Sequence, residues 1–132
     1  MGILPTIDFM KAFLRLLMSV LFVTAPLASL SRAQTPLIVS DAQAEQHLGQ
    51  DVTVEGVVTA VSTSRKGNTF INFGGVYPNQ TFTGWIPSGT PLASDASLQS
   101  LQGKRIKITG RIELYRGKPE IRVLEKSQIT EE

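Results

Sequence analysis

Gly49-Gln50-Asp51-Val52-Thr53-Val54-Glu55-Gly56 and Gly103-Lys104-Arg105-Ile106-Lys107-Ile108-Thr109-Gly110 are the stretches whose reading decides the fold. Each has glycine at both ends and aliphatic residues alternating with polar ones between them, the period of a strand with one buried face. Each also follows a short helical pattern. Ser40-Asp41-Ala42-Gln43 has the spacing of a capping box and Gly49 follows Leu48 as a stop, while Leu98 and Leu101 lie three apart ahead of Gly103. The first strand continues through Val57, Val58 and Val61, so Gly56 falls inside it. A glycine inside a long strand marks a bend or a bulge, which serves closure of a sheet on itself.

Outward from these two strands, residues 62–68 are polar and basic and read as a hairpin loop. Residues 69–73 form a second strand in which Ile71 and Phe73 share one face and Phe70 and Asn72 the other. A turn over 74–80 leads to a third strand, 81–86, with Phe82, Gly84 and Ile86 on one face. Residues 87–101 read as loop and weak helix, and strands over 105–115 and 120–124 follow, joined by a turn at Arg116-Gly117-Lys118-Pro119. Helix, three strands, helix, two strands is the order of an all-β, five-stranded Greek-key barrel of the OB type. The expected domain spans residues 40–130, with a short N-terminal helix and a second helix between the third and fourth strands.

Residues 1–33 read as a leader peptide: Lys11 and Arg15, an apolar run over 16–28, then Ser31-Arg32-Ala33 with small residues where a signal peptidase reads. Starting at Met10 gives the more ordinary opening Met-Lys-Ala-Phe-Leu-Arg. The run contains Pro26 and is too short for a bilayer span of about twenty residues, so no stable membrane anchor is expected. Residues 34–39 read as a tether, and the expected location is periplasmic or secreted. The chain has no cysteine, which excludes a disulfide scaffold, a lipid-anchored lipoprotein and thiolate metal sites. Lys11, Arg15, Arg32 and Asp8 all lie in the leader, so ten basic and ten acidic residues remain and the exported chain is neutral.

The sequence resembles two groups of OB domains. His47 to Val58, with Phe70-Ile71-Asn72-Phe73 beyond a basic loop, is similar to the anticodon-binding OB domain of aspartyl-type tRNA synthetases. A longer likeness runs to small bacterial OB-fold domains described as nucleic-acid-binding. It rests on Thr69 to Asn72, Tyr77-Pro78-Asn79-Gln80-Thr81-Phe82-Thr83, Gly103-Lys104, Tyr115 to Ile121 and Gln128-Ile129. The resemblance implies an OB barrel, and for Phe70 it implies a ring that stacks on a base.

Binding of a single strand on such a barrel uses exposed rings on the second and third strands and positive charge in the loops beside them. The expected interface is Phe70, Asn72, Tyr77 and Phe82, with Arg65 and Lys66 in the first hairpin loop and Arg116 and Lys118 in the last. Asn72 is included because its amide both donates to and accepts from a base edge. Lys104, Arg105 and Lys107 read instead as the wet face of a strand, and Glu113 and Glu120 as ion-pair partners of Lys118 and Arg122. Catalysis has little to rest on. His47 is the sole histidine, no nucleophile has a base beside it, and no phosphate loop or metal-ligand spacing occurs, so neither enzyme activity nor a cofactor or metal is expected. Two function classes stay open: an exported module binding single-stranded DNA or RNA or nucleotides with modest, salt-sensitive affinity, with an exported nuclease or other protein as partner, and an exported OB protein holding a small anionic ligand, a glycan or a protein segment without nucleic acid.

Overall fold

A computed structural model describes residues 35–132, and the expected leader lies outside the described residues. The class is all-β. Among the described residues there are seven strands: β1 (Leu37–Ser40), β2 (Asp51–Thr63), β3 (Thr69–Phe73), β4 (Phe82–Ile86), β5 (Arg105–Tyr115), β6 (Lys118–Arg122) and β7 (Ile129–Glu131). The five strands expected from the sequence are β2 to β6; β1 and β7 are additional. Residues 37–39 of the stretch read as a tether, together with Ser40, pair parallel with β2 from Leu37↔Val52 to Ser40↔Glu55. β7 adds antiparallel to β5.

The pairing of the five longer strands runs β2–β3–β4–β6–β5 and returns to β2. β2 and β5 achieve the return by each serving two partners within this ring. Asp51 to Val57 pair with β5, whereas Val58 to Thr63 pair with β3. Thr59 is the extra residue of a bulge at that change, and its hydroxyl donates to the Asn72 carbonyl at 3.0 Å. β5 likewise pairs with β2 up to Arg111 and with β6 from Ile112. The bend in β2 thus falls at Val58–Ala60, two residues beyond the expected position at Gly56.

Gly56 and Gly110 owe their places to room, and neither has a positive φ. A Cβ on Gly56 would lie 2.7 Å from Asp41 Oδ1 and 3.0 Å from the Phe73 ring; one on Gly110 would lie 2.5 Å from Ile121 Cγ2. The side chains they admit belong to a core that includes Val52, Val54, Val58, Ile71, Phe73, Phe82, Ile86, Ile106, Ile108, Ile112, Ile121 and Val123, all fully enclosed. Each such side chain contributes about 1.5–3 kcal/mol.

The two expected helices are 3-10 segments. The first is Asp41–His47. Ser40 is extended and committed to β1, so its hydroxyl makes no cap and the expected capping box does not form. Asp41 instead accepts from the Thr81 hydroxyl at 2.5 Å, tying the segment to the approach of β4. Between β4 and β5 lie Pro91–Ser94, capped by Thr90, and Ala96–Leu101, capped by Asp95; Leu92, Leu98 and Leu101 join the core. Among the described residues no helix is long and apolar enough to cross a membrane.

Candidate nucleic-acid interface

Alternation along three neighbouring strands builds one outer face. Ile71 and Phe73 turn into the core, so Phe70 and Asn72 turn out; Phe82, Gly84 and Ile86 turn in, so Thr83 and Trp85 turn out. The register sets Phe70 beside Trp85 and Asn72 beside Thr83, and β6 continues the rows with Arg122 beside Trp85 and Glu120 beside Thr83. β5 adds Glu113 opposite Glu120 and Tyr115 opposite Lys118.

A cleft of about 400 Å³ opens on this face, and among its walls are Phe70, Asn72, Tyr77, Gln80, Thr83, Tyr115, Arg116, Lys118 and Glu120. Five of the eight expected site residues meet here: Phe70, Asn72, Tyr77, Arg116 and Lys118. Tyr77 stands 68% exposed on the rim, and Phe70 is half-buried. Asn72 is only 4% exposed and its carboxamide oxygen accepts from the Thr83 hydroxyl at 2.9 Å, which fixes the orientation of the amide against the floor.

The remaining three expectations fare differently. Phe82 is wholly buried with its ring centroid 5.3 Å from that of Phe73, so it is a core residue and offers no surface to a ligand. Arg65 and Lys66 are exposed in the β2–β3 loop, but the cleft wall stops at Ser64 and neither borders it. The expected interface did not include Trp85, Tyr115, Gln80 or Glu120. The alternation that buries Phe82 also turns Trp85 outward, so that residue was legible from β4 alone.

The β5–β6 turn has two central residues, Arg116 and Gly117, with φ of 49° and 77°. Two positive φ values make the mirror-image turn that suits the twist of a hairpin, and asparagine or glycine ordinarily fills it. Arginine there is costly, and its guanidinium carbon lies 5.3 Å from the Tyr115 ring centroid. Among the described residues neither Arg116 nor Lys118 joins an ion pair, unlike Lys104, Arg105 and Lys107 at the start of β5. Lys104 pairs with Glu131, Arg105 with Glu55 and Glu132, and Lys107 with Glu132.

The floor is acidic. Glu120 is 8% exposed, and burial, then the neighbouring Glu113 charge, raise its carboxyl above the ordinary value against an opposing effect of Arg122. The expected pairing of Glu113 and Glu120 with Lys118 and Arg122 is not formed at ion-pair distance. Arg122 lies over the Trp85 ring instead, 4.9 Å from its centroid. Gln80 is 6% exposed and its side-chain oxygen has no hydrogen-bond partner among the described residues. Among the described residues no cluster of three or more His, Cys, Asp or Glu could hold a metal ion.

No family model matches the chain, and no curated protein matches it. Among solved structures the chain is similar to the OBody AM1L10 bound to hen egg-white lysozyme, at TM-score 0.53 and 18% identity over 75% of this chain and 95% of that one. It also matches an aspartyl-tRNA synthetase from Leishmania major Friedlin at TM-score 0.45 and 8% identity, over 81% of this chain and 23% of the synthetase. The chain therefore spans about a quarter of that synthetase, and what the first of these similarities establishes is a shared β fold.

Proposed function

We propose that residues 37–131 form an OB-type barrel that binds single-stranded nucleic acid in the Phe70 cleft and performs no catalysis. The strand order β2–β3–β4–β6–β5 and the likeness to the OBody support the fold part of this reading. The observation that carries the function is the grouping of Phe70, Tyr77 and Tyr115 around one cleft whose rim bears Arg116 and Lys118, cations that pair with no carboxylate among the described residues. Flat rings beside a cationic edge are what a strand of stacked bases and phosphates requires. The acidic floor adds a polarity: Glu120, with Glu113 opposite it in register, repels phosphate, so the backbone follows the Arg116–Lys118 rim and the bases turn inward. With two rim cations the affinity is modest and falls with salt.

The test is fluorescence anisotropy of labelled single-stranded DNA and RNA at about 50 mM salt. Phe70→Ala lowers affinity by about 1–3 kcal/mol while leaving the melting temperature near that of the wild type. Absence of wild-type binding to either polymer removes the reading and leaves the protein-segment alternative, which the exposed Val76, Tyr77, Leu114 and Tyr115 favour. Export belongs to the same proposal: the protein acts outside the cytoplasm after cleavage following Ala33. Intact mass of the exported form then corresponds to a chain beginning at Gln34, and recovery of the uncut chain refutes export.

A further inference from the structure

A second, smaller cleft of about 300 Å³ lies across Phe70 from the first, bordered by Trp85, Arg122, Leu114 and Asn68. The two clefts have Phe70, Tyr115 and Glu120 in common, so each of these side chains presents surface to both. Phe70 and Trp85 are direct partners across β3 and β4. Side chains so related stand about 4.5–5.5 Å apart at Cβ, which puts two ring platforms side by side on one face. Arg122 is exposed and lies over Trp85. Both an indole and a guanidinium plane are surfaces on which unpaired bases stack.

We infer that Trp85 and Arg122 form a second base subsite, adjoining the Phe70 cleft, so that the protein's minimal ligand is two consecutive nucleotides of a single strand. This rests on the nucleic-acid reading of the Phe70 cleft and extends it by a defined length. One base occupies the Phe70–Tyr115 cleft and the next stacks on Trp85–Arg122, with Phe70 as the partition. Glu120, shared by the two clefts, and Glu113, which borders the second, keep phosphate from its base, so the linkage between the two nucleotides passes over the rim.

Trp85 is the single tryptophan of the chain, so its indole N–H gives one assignable resonance that reports on the second subsite alone. The experiment titrates the full chain with thymidine monophosphate, the dinucleotide d(TpT) and the trinucleotide, following that resonance and the dissociation constants by NMR. The expected result is d(TpT) binding about 5- to 150-fold more tightly than the mononucleotide, the worth of one additional stack, with little further gain for the trinucleotide. The indole resonance shifts with d(TpT) and barely moves with the mononucleotide. Trp85→Ala and Arg122→Gln each shrink the length advantage, and Trp85→Phe retains most of it. Equal affinity for the mono- and dinucleotide, or a stationary indole resonance at saturating d(TpT), overturns the second subsite while leaving the Phe70 cleft as a nucleic-acid site. Failure of a ten-residue oligothymidylate to bind at all overturns both.

Discussion

Glu113 on β5 and Glu120 on β6 face each other in register, and among the described residues neither has a cation at ion-pair distance. Burial and this like-charge neighbour raise the Glu120 carboxyl above its ordinary 4.5. Between that value and the raised one, the folded protein holds a proton that the unfolded chain has released. Stability therefore falls as pH rises through the window, and above it the ionised Glu120 is a net cost. Urea melts of the wild type and Glu120→Gln across the mildly acidic to neutral range test this. The glutamine variant is the more stable at neutral pH, and the difference vanishes as Glu120 becomes protonated; a less stable variant at neutral pH refutes the argument.

Phe82 and Phe70 lie on neighbouring strands with opposite duties. Phe82→Ala empties a site sealed on all sides and packed against Phe73, so it costs about 3–5 kcal/mol of stability. Phe70→Ala removes a half-buried ring on the outer face and costs much less. Denaturant melts of the two variants separate them, and similar losses for both place Phe70 in the core and remove it from the interface.

Much of this layout was legible because strand alternation is local. The faces of β3 follow from Ile71 and Phe73 against Phe70 and Asn72, and the same rule applied to β4 buries Phe82 and exposes Trp85. Retaining Phe82 in the expected interface gave weight to aromatic character over face. What the sequence left out is non-local. β1 is four residues beside Pro36 with no period of their own, and only pairing with β2 makes them a strand. The bend in β2 falls where its partner changes from β5 to β3, a property of the assembled sheet that Gly56 does not announce. The reach of the cleft wall, which excludes Arg65 and Lys66, depends likewise on how the β2–β3 loop and the β5–β6 turn sit together.

Gly110 tests the closed packing. A side chain there meets Ile121, which is fully buried on β6 and has no room to withdraw. Gly110→Val therefore destabilises by about 1–3 kcal/mol through overpacking. An open, flat sheet gives the opposite sign, since valine has the higher strand propensity. Gly56→Ala is milder, because the first atom it meets is the carboxylate end of the Asp41 side chain. Thermal melts of Gly110→Val that match or exceed the wild type refute the packing argument.

Arg116 joins local strain to binding, and its two roles are separable by choice of substitution. The residue sits at a φ of 49°, in the first central position of a turn that asparagine suits better, and a left-handed conformation costs a side chain about 1–2 kcal/mol. Its guanidinium stands on the rim of the cleft against Tyr115. Arg116→Asn relieves the backbone and removes the charge; Arg116→Gln removes the charge and keeps the strain. Asn is thus expected to raise stability by about 1 kcal/mol relative to Gln. Both lower the salt dependence of single-strand binding by about 0.7 in slope if the arginine neutralises one phosphate, and adding Lys118→Gln lowers it by a further 0.7 or so. Lys104→Gln, which removes a cation already paired with Glu131, leaves the slope near the wild-type value. The measurements are urea melts and anisotropy titrations over a salt series. A more stable Asn variant with an unchanged slope assigns Arg116 to the hairpin alone and moves the phosphate path away from this rim, whereas a reduced slope in both variants ties the strained turn to the ligand.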